Sequence, residues 1–411
     1  MNKKKLRVGI ICERKQPADT RVAITPQDAS ALMRAHTNLE IVAESSPDRT
    51  FTDDDYTAAG VLVVEDASDC DVLFAVKEVP IENLIPNKTY FFFSHTIKKQ
   101  SYNQKLLQAI VTKNIQLVDY ECLVWPKGHK NAPGRMIGFG FWAGVVGTYN
   151  AMLTWGRKHR SFTLKPAFQC ADYDELKQEI KKAKLPNIKI ALTGSGRVAQ
   201  GANDLLTHME LHEVSVQEIV DASFDEPVFA NFDNHHLFAR KDGADWDRMH
   251  FYNNHGEYDG IFEPYLQHVD LLINGMYWEG SLPPLFSKED TKINNFKPSV
   301  IADITCDVEG SVPITMRATS IQNPTLGWDR ISQQEVAPFG RDTIEVMAVT
   351  NLPTELPHDA SVDFSSVLSK EIIPQLLNND ELGVIDRASI TKAGKLNRFY
   401  AYLQDYLDGE E

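Results

Sequence analysis

Cysteine is scarce in this chain. The five thiols, Cys12, Cys70, Cys122, Cys170 and Cys306, are scattered and form no CxxC pair. That excludes a disulfide framework or a cysteine-built zinc site and suits free thiols in a reducing compartment. Basic charge is also short: 42 Lys and Arg stand against 57 Asp and Glu, a net charge of −15 over 411 residues. With no basic stripe to neutralise phosphates, a nucleic-acid partner is excluded. An anionic substrate would have to be held by a local cluster of Arg and Lys, against the overall field. Long apolar runs are missing as well. No segment approaches the ~18 apolar residues of a membrane span, so no membrane partner is expected. The basic start, MNKKKLRVGIICERK, leads into a run too short for a secretory h-region of ~7 or more residues, and a cytoplasmic protein is expected. There is no internal repeat or low-complexity run.

What is present is a strand–helix alternation. Strands are expected at 6–12, 39–44, 61–64, 71–77, 89–94 and 115–120, with helices at 26–35, 51–59 and 101–113. Such alternation argues α/β architecture with parallel sheets flanked by helices. An apolar stretch with interspersed small residues, helical over 141–158, reads as a spine running from one domain into the next. A surface helix follows at 169–184, and Pro186 marks a boundary before further strands at 188–193, 213–216, 269–273 and 300–304. An amphipathic helix covers 360–378, and the polar stretch 221–263 has no assignment. Two Rossmann-like domains are expected, residues 1–140 with 345–411 and residues 141–344, with the active site in the cleft between them.

Two constellations carry chemistry. The first is IKIALT followed by GSGRVA, a strand entering a G-x-G-x-x-A turn and then a helix. Gly194 makes the tight turn, Gly196 lets the backbone approach a pyrophosphate, and Ala199 and Gly201 leave room for close packing. Backbone N–H groups at the helix start then face the phosphates of a dinucleotide. The second strand of the unit should end in an acid if a ribose 2′-hydroxyl is read. In HEVSVQEI that end falls near Val216, Gln217 and Glu218, with neither a clear Asp nor a clear Arg, so NAD and NADP both stay open.

The second constellation sits at strand ends. TYFFFSHTIKKQ runs four aromatic residues into Ser94, His95 and Thr96, then Lys98 and Lys99. DVLFAVK ends in Lys77, where partial desolvation would lower the amine pKa into a useful range for a base. On neighbouring strands of one parallel sheet, Lys77 and His95 share a rim. Arg21 could offer a bidentate fork to a carboxylate, Arg135 precedes the spine helix, and Glu121 follows the strand IQLVDY. His235, His236, His250, His255 and His268 show no HExxH spacing and read as loop histidines, so no metal is expected.

With those residues in view, the chain resembles the lysine-forming saccharopine dehydrogenases, and in particular the lysine–2-oxoglutarate reductase part of the bifunctional aminoadipic semialdehyde synthases. The resemblance spans nearly the whole chain: RVAITP, AVKEVP, TYFFFSHTIKKQ, IQLVDYE, RMIGFGFWAGVVGTYN, TGSGRVAQGA, LLINGMYWEGSLPPLF, IADITCDVEGSVP and LPHDASVDFSSVLSKEIIPQL. RVAITP and VKE are shared with alanine dehydrogenases and their transhydrogenase relatives, whereas FSHTIK and NGMYWE are specific. The resemblance implies an NAD(P)H-dependent reaction joining lysine and 2-oxoglutarate into saccharopine, or its reverse. By motif it makes Lys77 and His95 the acid–base pair and places Arg21, Lys98 and Arg135 around the substrate carboxylates. Glu78 and Glu121 would tune that pair. Gly194, Ser195, Gly196, Arg197 and Val198 would carry the pyrophosphate, Trp278 would line its far side, and Asp307 would lie near the nicotinamide. The glutamate-forming module of the bifunctional enzymes is expected to be absent, and oligomeric state is left undetermined.

Overall fold

The computed structural model describes residues 5–132, 134–292 and 295–410, which fall into two compact units, Met1–Gly138 with Pro357–Glu411 and Phe139–Leu356. In the first unit, Leu6–Ile10 (β1), Leu39–Glu44 (β2), Leu62–Val64 (β3), Val72–Lys77 (β4), Thr89–Phe93 (β5) and Gln116–Asp119 (β6) run parallel in the order β3-β2-β1-β4-β5-β6. Their near-continuous apolar runs suit strands covered on both faces: Tyr90, Phe91 and Phe92 of β5 are wholly buried. The connecting helices include Pro26–Ala35 (α1), Asp53–Ala58 (α2) and Ser101–Thr112 (α3). Thr25 caps α1, with Pro26 preset for its first turn. The order reverses between β1 and β4, and a doubly wound sheet binds ligands at that switch point, beyond the carboxyl ends of the strands.

The second unit opens with Gly140–His159 (α4) and Tyr173–Ile180 (α5), then Lys189–Thr193 (β7), Arg197–His208 (α6), His212–Glu213 (β8), Val216–Asp221 (α7) and Val228–Phe232 (β9). Next come Asn234–Leu237 (α8), Phe238–Arg240 (β10), Arg248–Asn253 (α9), Tyr258–Gly260 (β11), Leu271–Asn274 (β12) and Val300–Asp303 (β13). Thr325–Asp329 (β14), Gln334–Val336 (β15) and Thr343–Met347 (β16) complete a sheet of order β15-β14-β16-β13-β12-β7-β9-β8. The expected boundary at residue 344 falls inside β16, which pairs with β13 and belongs to this unit.

The expected spine helix, α4, lies wholly in the second unit. Its small residues serve another end. A Cβ on Gly144 would stand 1.9 Å from the Val198 carbonyl oxygen, and one on Gly201 would stand 1.9 Å from that of Phe141. The backbones of α4 and α6 therefore meet directly, which fixes the start of α6.

The chain then returns to the first unit through Pro357–Val367 (α10), and Ser389–Lys392 (β17) and Lys395–Leu396 (β18) extend its sheet antiparallel beside β6. The expected single helix over 360–378 is interrupted by a π turn at Leu368–Ile372 just before Pro374, whose ring nitrogen has no hydrogen to donate.

The architecture is α/β, with parallel strands flanked by helices as expected, and each sheet also carries antiparallel pairings at one edge, β16–β14–β15 and β6–β17–β18. The strand expected at 213–216 is only β8, because Ser215 and Glu218 form a capping box that starts α7. The unassigned stretch 221–263 is ordered, and Leu237, Phe238, Phe251, Tyr258 and Phe262 of its β10–β11 hairpin and flanking turns enter the core of the second unit.

Candidate active site

In the first unit the chemistry gathers at the carboxyl edge. Lys77 ends β4 and lies opposite Phe93 of β5, two residues before His95. Burial and the Arg21 charge depress the Lys77 amine below the usual lysine range, while Asp19 and Glu78 pull the other way. His95 adopts a left-handed backbone, φ 55°, which turns the chain sharply after β5. That turn is held from beneath by Asp119, at the end of β6. Asp119 accepts the Ser94 N–H at 3.0 Å, the Ser94 hydroxyl, and the Glu121 N–H at 2.7 Å. Glu121 then faces His95, with Nδ1 at 3.1 Å from Oε2, while Arg135 and Lys98 approach Oε1 at 3.4 and 3.8 Å. Burial pushes the Glu121 carboxyl up, but the His95 hydrogen bond and the Lys98 and Arg135 charges outweigh it and hold the carboxyl down at about 2. An ionised Glu121 can only accept, so His95 Nδ1 donates to it and Nε2 is left as the basic nitrogen of the neutral ring.

The loop after β1 supplies the other wall. Two serines of α10 pin it: Ser361 accepts the Val22 N–H and Ser365 the Thr25 N–H, both at 2.9 Å. Arg21 is 3% exposed, and its Nε–Nη2 edge is bound by Asp19 at 2.9 and 2.6 Å. One of the two fork edges of this guanidinium thus holds Asp19. Lys15 pairs with Glu78, whose second oxygen is buried without a hydrogen-bond partner. Glu13 accepts the N–H groups of Val76 and Lys77.

In the second unit, β7 enters Gly194 at φ +98°, where a Cβ would meet the Gly275 carbonyl oxygen at 2.8 Å. Gly196 caps α6 and has nothing within 4 Å of its missing Cβ, so the N-terminus of α6 has open space in front of it. This is the cradle a dinucleotide phosphate needs, and the residues present fit that group. Arg197 and Val198 open α6 beside Ser195. Trp278 and Asp307 converge on Gly310, where a Cβ would stand 3.3 Å from the Trp278 ring and 2.7 Å from the Asp307 Cβ. A buried network supports that edge: Asn274 takes the Thr193 hydroxyl at 2.7 Å and donates to Asp303 at 2.9 Å and Ser311 at 2.8 Å.

Residues 9–144 match the family described as alanine dehydrogenase/PNT, N-terminal domain. A solved L-alanine dehydrogenase superposes with a TM-score of 0.64 at 16% identity, covering 98% of this chain and all of that one. The fold is that of the alanine dehydrogenases. In sequence, the chain is 26% identical to the mitochondrial alpha-aminoadipic semialdehyde synthase of Mus musculus, over 96% of its own length and 47% of that protein. It thus spans about half the length of those relatives. It is 25% identical to the saccharopine dehydrogenase (NAD(+), L-lysine-forming) of Yarrowia lipolytica, over 91% of this chain and 93% of that one.

In this alanine dehydrogenase fold, Lys77, Glu78, His95, Lys98, Glu121, Arg135 and Arg21 all lie at the carboxyl edge of the first sheet. The glycine loop, Trp278 and Asp307 lie at that of the second. The sequence reading missed Glu13, Lys15, Asp19 and Asp119, which no motif or spacing marks. It also mistook the strand beside β7. That neighbour is β9, so the strand end beside β7 lies at Asn231 and Asp233 and not at Gln217 and Glu218. Asn231 Oδ1 is buried with no partner, and Asp233 caps α8 with its side chain 43% exposed.

A cavity of about 650 Å³ at the far end of α4 is lined by Lys158, His159, Arg330 and Arg341. Lys158 is taken up there by Thr343, Gly340 and Glu345, and Arg330 by the carbonyls of Phe296 and Pro298, so the cavity reads as structure and lies away from the carboxyl edge of the second sheet. His255 pairs with Glu279 at 2.6 Å and His250 with the Tyr258 hydroxyl at 3.0 Å; among the described residues no group of three or more His, Cys, Asp or Glu could hold a metal. No helix among them is long and apolar enough to cross a membrane.

Proposed function

We propose that this chain is an NAD(H)-dependent saccharopine dehydrogenase of the L-lysine-forming kind, joining lysine and 2-oxoglutarate through an imine, or cleaving the product. The observation that carries the reading is the pairing of a desolvated Lys77 with a Glu121-oriented His95 on adjacent strand ends. Similarity along nearly the whole of a single-function saccharopine dehydrogenase supports it.

The lysine ε-amine must be neutral to attack the keto carbon. Lys77, depressed in pKa, accepts the proton released as the C–N bond forms. The keto oxygen takes two protons before it leaves as water: Lys77 relays the one released by the amine, giving the carbinolamine hydroxyl, and His95, protonated, gives the second through Nε2, with Glu121 stabilising the imidazolium. When bound, the nicotinamide supplies the hydride that reduces the imine carbon. Lys77 then holds or returns the proton of the new secondary amine. Lys98, Arg135 and Arg21, the last ordered by Asp19, are the cations for the substrate carboxylates. Glu78 adjusts the charge around Lys77.

Gly194, Ser195, Gly196, Arg197 and Val198 would hold the pyrophosphate, with Trp278 and Asp307 at the nicotinamide end. NADH is preferred over NADPH in this reading, because Asp233 ends the strand beside β7 and an acid there repels a 2′-phosphate.

The test follows NADH and NADPH absorbance with lysine plus 2-oxoglutarate, then with pyruvate plus ammonia. Consumption with the first pair supports the proposal. Consumption only with the second makes the chain an alanine dehydrogenase, and none with either removes both readings.

A further inference from the structure

Glu13 lies just beyond β1, in the loop that crosses the switch point of the first sheet. β1 pairs with β4 only as far as Ile10 opposite Phe74, and the Ile11 N–H still reaches the Phe74 carbonyl at 3.0 Å. The chain then turns away: the Cys12 N–H goes to Glu44 of β2 at 2.9 Å, and Arg14 grips the same carboxylate at 3.0 and 2.7 Å. β4 continues to Lys77 without a backbone neighbour on that side. The Glu13 carboxyl comes back to fill the gap, taking the Val76 N–H at 2.5 Å and the Lys77 N–H at 3.0 Å. Successive N–H groups of a regular strand point to opposite sides, so two of them converging on one carboxyl mark an irregular strand end. The β4–β5 register shifts at that same place, between Phe74 and Lys77.

We infer that Glu13 is a positioning residue for Lys77: its carboxyl replaces the missing β1 backbone and fixes the strand end from which the Lys77 side chain departs. The inference rests on the reading of Lys77 as the acid–base group of the site. A lysine side chain has four rotatable bonds, so the direction in which it leaves the backbone decides whether its amine stays among Arg21, Asp19, Glu78 and Lys15, the charged groups that surround it. Glu13 suits the task without adding charge. Although the residue keeps some exposed surface, its carboxyl is enclosed, and burial with the Asp19 charge pushes it up to about 8 against the two N–H bonds. At neutral pH it is mostly protonated and does not pull the amine back towards its ordinary range.

The experiment reads Lys77 directly. The full chain is acetylated with acetic anhydride across a pH series, and Lys77 modification is followed by mass spectrometry against the exposed Lys395. In the wild type the Lys77 midpoint lies below that of Lys395. In E13A it moves towards Lys395 by about one pH unit or more, and kcat with lysine, 2-oxoglutarate and NADH falls at least about tenfold while KM changes less than about threefold. E13Q keeps one carbonyl acceptor and no charge, and retains more activity than E13A. An unchanged Lys77 midpoint in E13A, with melting and NADH binding as in the wild type, overturns the inference. If E13A does not fold, E13Q decides: a shift of about half a unit supports the inference and no shift overturns it. The midpoint is read without turnover, so a wild type inactive on these substrates defeats the proposed reaction and leaves the Glu13 result standing.

Discussion

Replacing Glu121 with glutamine tests the electrostatics of the His95 turn. The Glu121 carboxyl is held at about 2 against an ordinary 4.5, and its side chain is only 7% exposed, so the interaction is little screened. A shift of that size corresponds to about 3 kcal/mol of folding stability at pH 7. The folded pKa is depressed, so this stability is present above the unfolded value and is lost as pH falls from 4.5 towards 2. At pH 3 the remaining contribution is about 1.4 kcal/mol. Hydrogen exchange of the β5 and β6 amides in the full chain reports the first unit by itself. The wild type should therefore exceed E121Q by about 3 kcal/mol at pH 7, and the gap should narrow to about half of that at pH 3. A gap that stays constant over this range, or no gap at all, would show that Lys98, Arg135 and His95 do not stabilise the charge as described.

Other expectations follow from single contacts. D119A leaves three donors without their acceptor, the Ser94 N–H and hydroxyl and the Glu121 N–H, and should cost about 2–4 kcal/mol by urea unfolding. G201A drives a Cβ to 1.9 Å from the Phe141 carbonyl oxygen, where backbone must move, and should cost about 3 kcal/mol or more while weakening NADH binding measured by fluorescence. D233S should narrow the preference for NADH over NADPH by about tenfold or more in kcat/KM, and an unchanged ratio would remove Asp233 from cofactor choice.

Much of the first sheet was legible because its strands are buried on both faces and read as plain apolar runs, as in TYFFF and VLFAV. Lys77 and His95 were legible because each breaks such a run at its end. The partners were not. Glu13, Asp19 and Asp119 act through backbone N–H groups and neighbouring cations brought up by the fold, and nothing in their spacing marks that. Arg21 was found, but its buried partner stands only two residues away and changes what its guanidinium can offer. The strand beside β7 was misplaced for a topological reason. After α6 the chain goes to the sheet edge first and fills the place beside β7 only with β9, so sequence order did not match spatial order. The capping box at Ser215 and Glu218 was the readable sign that the strand had already ended.

The most direct test of the account is the turnover of K77M with lysine, 2-oxoglutarate and NADH, compared with the wild type at the same pH. A folded K77M that binds NADH normally should lose about two orders of magnitude or more in kcat, the loss expected of a general acid–base group. Turnover within about threefold of the wild type would contradict the assignment of Lys77 and the imine chemistry built on it.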